Sequence, residues 1–218
     1  MVPTTQRGAK RSSALQAPSD PRRDSILDAA FTVMMECGYD RTSTLDIASA
    51  AKVSKRELYA LFDNKQEILT ACIAARAARM RRSLTLPAPE DGPTFLGVLT
   101  DFASTFLREM CSPAVVAVYR LAAIDAQRSP EVAQALDTVG RDASREALIG
   151  LLKHAQSRGF IGAGDPSPIA SEFFSLLVGD LLLRLVLRVT EPPSAREIDR
   201  RVRAAVDALL RLHPTAAR

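Results

Sequence analysis

The chain has 218 residues, of which 47% are hydrophobic, 25% charged and 5% aromatic, with no Trp. This ordinary globular composition excludes collagen-like and wholly disordered chains, and the length fits one large domain or a small domain joined to a medium one. The net charge of +4 is unevenly placed: residues 1–84 hold 14 Lys/Arg against 9 Asp/Glu and residues 85–218 hold 15 against 16, so a polyanionic partner would meet the N-terminal part.

Residues 1–20 are rich in Ser, Thr, Pro, Ala and basic side chains without periodicity and read as a disordered basic tail. They hold no apolar run of the signal-peptide kind, so a cytoplasmic location is expected. Asp20-Pro21 is a helix start, with Asp as N-cap and Pro at the first helical position. The first helix runs over 22–37, with Ile26, Ala30, Val33 and Cys37 on one stripe, and Gly38 ends it. Three capping sequences follow at short spacing. Ser43-Thr44-Leu45-Asp46, Ser54-Lys55-Arg56-Glu57 and Asn64-Lys65-Gln66-Glu67 each place a capping side chain three residues before an acid. They leave room for a helix over 44–51, a turn at Lys52-Val53 and a helix over 55–62, a helix-turn-helix within a unit spanning 21–68.

Beyond Lys65 the periodicity predicts helices over 65–84, 93–109, 113–127, 130–157, 167–190 and 194–212. The chain is therefore expected to be all-α with about nine helices, a three-helix N-terminal domain followed by a helical bundle over 69–213. In the 130–157 helix, Val132, Leu136, Val139, Ala143, Ala147 and Leu151 form one stripe. The 167–190 helix is apolar on nearly all sides except a line of Glu172, Asp180, Arg184 and Arg188, charges that argue against a membrane span and for cover on two sides. Asp180 and Arg184 are spaced as an i,i+4 ion pair. With the amphipathic last helix (Ile198, Val202, Ala205, Leu209), it is expected to form a two-fold homodimer interface, the alternative being that both helices pack wholly inside one subunit. Leu177, Leu181, Arg184, Val202 and Leu209 are the candidate contacts.

At 100° per residue, Leu58, Leu61 and Phe62 share one side of the 55–62 helix, while Lys55, Arg56, Tyr59 and Ala60 occupy an arc of about 140° on the other. One face packs and the other presents two cations and a phenol. Lys55, Arg56 and Lys65 all lie in first helical turns, where positive charge is unfavourable by about 0.3–1 kcal/mol each. An external polyanion would reverse that sign, and local rule-breaking tends to mark function; the alternative is that the long side chains simply extend into water, where the penalty shrinks.

Other chemistries find little support. Cys37, Cys72 and Cys111 are odd in number, widely spaced and set among apolar neighbours, so they read as small buried hydrophobes. His154 and His213 are isolated, and His154 reads as a surface or satisfied residue. Gly159-Phe160-Ile161-Gly162-Ala163-Gly164 has the wrong order for a dinucleotide loop and follows a helix. No catalytic centre, cofactor or metal site is expected. The remaining classes are a DNA-binding regulator and a helical adaptor for protein or lipid whose basic end serves solubility.

The segments Ser43-Thr44-Leu45-Asp46-Ile47-Ala48, Ala51-Lys52-Val53-Ser54-Lys55-Arg56-Glu57-Leu58-Tyr59 and Phe62-Asp63-Asn64-Lys65-Gln66-Glu67-Ile68-Leu69 resemble the signature of the tetracycline-repressor (TetR) family of transcriptional regulators. The match covers 22–70, and the stretch 130–189 is similar, more weakly, to the AefR-like subgroup. The resemblance implies a nucleoid-bound homodimer whose paired recognition helices enter successive major grooves of a palindromic double-stranded DNA operator. Carried over by position, Lys55 and Arg56 reach base edges or phosphates, Tyr59 and Lys65 reach phosphates, and Ser43 and Thr44 meet the backbone. Ser54 caps the reading helix and belongs to the same DNA-binding set, and Val53, Leu58 and Phe62 are core. The chain departs from the family pattern at Lys52, Arg56, Glu57 and Leu61. Lys52 is expected to adopt a left-handed conformation, and Glu57 is either the capping acid or an acceptor for a cytosine amino group.

The bundle is a natural place for an unknown small-molecule effector that biases the separation of the DNA-binding heads. Phe102, Phe106, Tyr119, Phe173 and Phe174 are candidates for an apolar pocket, with ordinary core packing as the alternative. Repression is favoured because a dimer on a promoter blocks polymerase without further contacts, and activation stays open.

Overall fold

The computed structural model describes residues 20–81, 84, 88–124, 126–127 and 130–215. The basic tail and Arg82 lie outside them. The chain is all-α, and no strand occurs among the described residues. The elements are α1 (Pro21–Cys37), α2 (Thr44–Ala50), α3 (Lys55–Leu61), α4 (Lys65–Met80), α5 (Gly92–Met110), α6 (Pro113–Ile124), α7 (Pro130–Ala135), a π-helical segment (Leu136–Asp142), α8 (Ala143–Ser157), α9 (Pro166–Val178), α10 (Leu181–Val186) and α11 (Ala195–Leu212).

Local signals set most helix ends. Asp20 accepts the Arg22 N–H at 3.0 Å with Pro21 at N1, and Gly38 (φ 86°) closes α1. Reciprocal capping boxes form at Ser43/Asp46, Ser54/Glu57 and Ser194/Glu197. At α4 Asn64 caps the Glu67 N–H, while Glu67 reaches back one residue further, to the Asp63 N–H at 2.6 Å.

The buried face of α1 is Ile26, Leu27, Ala30, Phe31 and Met34, whereas Val33 is half-buried and Cys37 is exposed. The stripe predicted through Val33 and Cys37 is thus displaced to one side. The large side chains Leu27, Phe31 and Met34 remove more apolar area from water and set the rotation of the helix. Cys72 and Cys111 are buried as expected, and burial pushes their thiols up to about 12 and about 11.

Two predicted helices are divided. The 130–157 helix passes through a π segment, where each turn holds an extra residue and every later side chain is rotated back. The continuous stripe therefore fails: Leu136, Val139, Ala143 and Ala147 are half-buried, and Ser144, Leu148, Ile149, Leu152 and Ala155 take the interior. The 167–190 helix breaks at Gly179, whose φ of 52° combined with ψ of −131° is a backbone conformation suited to glycine. Arg120 of α6 then satisfies the last turn of α10, donating to the Leu185 and Val186 carbonyls.

Two apolar clusters result. One joins α1–α3 and the first half of α4 to Val118, Ala122, Val132 and Ala135, so the N-terminal three helices rest on α6 and α7. The other fills the bundle, where α11 lays Ile198, Val202, Ala205 and Leu209 against α5 and α9. This overturns four of the expected dimer contacts. Leu177, Leu181, Val202 and Leu209 are buried in the protomer's own core, because the apolar face of α11 is used up internally. Of that set only Arg184 is exposed, paired with Asp180 at 3.9 Å. The large apolar side chains left in water on α9, α10 and the turn after α10 are Leu176, Leu183, Leu187 and Val189.

The Gly159–Gly164 loop is a docking point for the end of the chain: the Gly162 N–H donates to the His213 carbonyl at 2.9 Å. A Cβ on Gly162 would fall inside van der Waals contact of the Pro214 carbonyl oxygen. Gly162→Ala is therefore expected to destabilise the protein by about 1–3 kcal/mol, as overpacking does, measured by chemical denaturation. An unchanged midpoint would show that the C-terminal strap contributes nothing.

Candidate functional site

The α2–turn–α3 unit is closed by a Schellman motif. Lys52 sits at φ 55°, its N–H bonds the Ser49 carbonyl at 3.1 Å, and the Val53 N–H bonds the Ala48 carbonyl at 3.0 Å. A lysine thus occupies the left-handed position that glycine takes most cheaply. Leu58 and Phe62 anchor the inner face of α3 and are almost fully buried, with Val53 and Leu61 half-buried at its margin.

The outer face is open. Lys55, Arg56, Tyr59 and Ala60 are exposed, and among the described residues no carboxylate pairs with Lys55 or Arg56. The Lys55 ammonium lies 5.7 Å from the centre of the Tyr59 ring, and the Tyr59 hydroxyl shares a 3.0 Å hydrogen bond with Thr44 Oγ1. The start of α2 and the middle of α3 are therefore joined into one polar surface. Leu45, exposed beside Thr44, belongs to the same rim and carries no polar signal that sequence could flag.

Ser43 and Ser54 are committed to their caps. Each hydroxyl accepts the N–H three residues on and donates to the same acid's carboxylate, at 2.7 Å for Asp46 and 2.9 Å for Glu57. The open role of Glu57 resolves as capping. One oxygen takes the Ser54 N–H and hydroxyl, and the other pairs with Arg22 of α1. The Ser54 N–H, then its hydroxyl, then Arg22 hold the Glu57 carboxyl below the usual carboxylate range. Arg22 was passed over in the sequence because the pair spans 35 positions.

Lys65 differs from the other two cations. Its ammonium donates to the Tyr39 carbonyl at 2.8 Å and the Asp40 carbonyl at 3.4 Å and lies 4.3 Å from the centre of the Tyr39 ring. Burial, then the charges of Glu131 and Asp40, push the Tyr39 phenol up to about 12. Lys65 therefore fastens α4 to the α1–α2 turn, and its charge is met by protein carbonyls. The conflict with helix dipoles is concentrated in Lys55 and Arg56.

A second feature lies where α1, α4, α5, α6, the π segment and α9 converge: a cavity of about 420 Å³. Phe106, Tyr119 and Phe174 line it, with the Phe106 and Phe174 rings 4.9 Å apart. Phe102 does not. It is fully buried behind them, its ring 5.9 and 6.0 Å from theirs, and Phe173 is likewise core. The wall also includes Phe31 from α1, Arg76 from α4, Gly140 and Arg141 from the π segment, and Arg145 from α8. Arg76 had a readable signal, a cation inside the apolar series Cys72, Ile73, Ala77 and Met80. His154 lies elsewhere, donating from Nε2 to the Pro89 carbonyl at 2.7 Å. Among the described residues no cluster of metal-ligating side chains forms and no helix is long and apolar enough to cross a membrane.

A capped helix-turn-helix with an open cationic face, carried on a helical bundle with an apolar cavity, defines a two-part DNA-binding transcriptional regulator. Residues 26–72 match the model of the tetR family of bacterial regulatory proteins, and residues 97–213 match the C-terminal domain of AefR-like transcriptional repressors. The chain belongs to the TetR family. It is similar to a TetR regulator of Agrobacterium tumefaciens, with 27% identity and a TM-score of 0.76 over 90% of this chain and 96% of that one. It is also similar to the flavonoid-responsive regulator FrrA, with 29% identity and a TM-score of 0.69 over 91% and 100% of the two chains. The negative transcriptional regulator of the icaADBC biofilm operon from Staphylococcus epidermidis, IcaR, is 44% identical over 46 residues, 21% of this chain and 25% of that one.

Proposed function

We propose that this chain is a ligand-responsive homodimeric repressor that binds a palindromic operator through α3. In this reading residues 21–68 are the DNA-binding head and residues 69–213 the effector-binding and dimerisation bundle, working in the bacterial cytoplasm on the nucleoid. The observation that carries the reading is the outer face of α3. Lys55 and Arg56 stand exposed without a carboxylate partner among the described residues, while the opposite face is locked by Leu58 and Phe62. Arg56 reads base edges, Lys55, Tyr59 and Thr44 grip the flanking phosphates, and the capped Ser43 and Ser54 present their helix ends to the backbone. Lys65 supports the head from behind.

Repression is supported by the AefR-like repressor model over the bundle and by the described role of IcaR. A small-molecule signal is supported by the cavity and by the flavonoid response in the name of FrrA. Dimerisation is supported by Leu176, Leu183, Leu187 and Val189, apolar side chains left uncovered by the protomer. The test is an electrophoretic mobility shift with the intergenic DNA upstream of the protein's own gene. A discrete complex that weakens steeply with salt is expected. Intact protein that shifts no DNA at any salt would instead favour the helical adaptor.

A further inference from the structure

We propose that the cavity takes an organic anion with a flat apolar body, and that the acidic group of this ligand docks on Arg76. The inference rests on the reading of the cavity as the effector site and specifies the chemistry of its occupant.

The wall is apolar and aromatic over most of its area, with Phe31, Phe106, Tyr119 and Phe174 presenting ring surfaces. It contains three arginines and, among the described residues, no acid. The three are not equivalent. Arg141 is already neutralised by Asp137 at 2.6 Å, with Asp142 at 3.8 Å. Arg145 donates only to neutral oxygens, the Ser167 carbonyl and the Ser167 and Ser171 hydroxyls. Arg76 stacks on Phe31, its Cζ 3.4 Å from the ring centre, and its hydrogen bond to the Cys72 carbonyl is stretched to 3.5 Å. Asp28 and Glu109 act on Arg76 from outside the cavity without closing an ion pair, and burial weighs against its charged form. A half-buried guanidinium, always charged and lacking a carboxylate, is a docking point for a carboxylate, sulfonate or ionised phenol. Arg145 lends a second positive field to the wall.

The position of Arg76 gives the docking a consequence. Arg76 belongs to α4, and the ring it covers belongs to α1 of the DNA-binding head. An anion that draws the guanidinium off Phe31 exchanges a contact between head and linking helix for one with the ligand. That is the differential interaction a ligand needs to shift the head.

The test titrates the full-length protein with two fluorescent probes of one scaffold, the anion 8-anilinonaphthalene-1-sulfonate and the neutral N-phenyl-1-naphthylamine. Saturable binding of the sulfonate at least tenfold tighter than that of the neutral amine is expected. Arg76→Met, which keeps the apolar stem, should erase that preference while leaving the neutral probe unaffected. Arg196→Met, which removes an exposed charge of α11 outside the cavity wall, should keep it. Equal binding of the two probes to the unmodified protein, which needs no variant to fold, overturns the anion assignment. So does a preference lost equally in Arg76→Met and Arg196→Met. Failure of both probes to bind saturably overturns the effector-site reading itself.

Discussion

Arg56→Ala is expected to lower operator affinity by about 1–3 kcal/mol and to flatten the preference at the base it faces, the cost of losing one bidentate base contact. The double variant Lys55→Ala/Arg56→Ala should lose the specific complex at moderate salt and reduce the salt slope by about one further unit. Neither change touches what holds α3 in place. The Ser54–Glu57 cap, the Arg22–Glu57 pair and the buried Leu58 and Phe62 all remain. Thermal stability should therefore be kept or raised, because each cation removed from the first turn relieves at most about 0.3–1 kcal/mol of conflict with the helix dipole. Lys65→Ala should behave differently. Its ammonium holds the Tyr39 and Asp40 carbonyls, so its removal lowers stability and weakens all duplexes alike through the placement of the head. Fluorescence anisotropy on an operator and its single-base variants separates the three outcomes. Unchanged affinity and salt slope in the double variant would remove α3 from the DNA interface.

What was legible in the sequence was whatever four consecutive residues decide. Ser43/Asp46 and Ser54/Glu57 form boxes because cap and acid sit within one turn, so local chemistry fixes them before any tertiary contact, whereas at Asn64 the cap forms but Glu67 reaches Asp63 instead. Gly38 and Lys52 follow the same logic at helix ends. The helix-turn-helix was readable for this reason, and so was the exposure of Lys55, Arg56 and Tyr59.

The cavity was not readable, because its wall is assembled from α1, α4, α5, α6, the π segment, α8, α9 and α10, which local pattern does not relate. Phe106, Tyr119 and Phe174 were found by being aromatic, a criterion that equally selected the buried Phe102. Arg76 was missed because a lone cation in an apolar stripe reads as exposed when its stacking partner, Phe31, is 45 positions earlier. The π segment turns Leu136, Gly140 and Arg141 toward α4, and a period of 3.6 carries no sign of it. The dimer residues failed through phase. On a helix apolar all round, Leu176 and Leu177 are equally plausible, and the left-handed turn at Gly179 resets the register for Leu181 and Leu183.

If the proposed dimer closes through this patch, Leu183→Glu/Leu187→Glu is expected to convert it to a monomer and to reduce operator affinity by at least a hundredfold. The two side chains are 60% and 61% exposed in the protomer, so their replacement removes nothing from its core, and helical content should be unchanged. In a two-fold interface each substitution acts twice. Burial of a leucine side chain contributes about 1.5–3 kcal/mol, and the double variant removes four such contributions while bringing four like charges into one apolar patch. The effect on DNA follows from geometry. Two heads reach half-sites one helical turn apart only when the dimer holds them together, and a single head is left with salt-sensitive, sequence-indifferent binding. The change at α10 should therefore abolish binding at α3 without altering any DNA-facing residue. Light scattering after gel filtration gives the mass, and anisotropy gives the affinity. A dimeric mass retained in this variant would mean that Leu183 and Leu187 lie outside the interface, and the partner surface would then have to be sought on another face of the bundle.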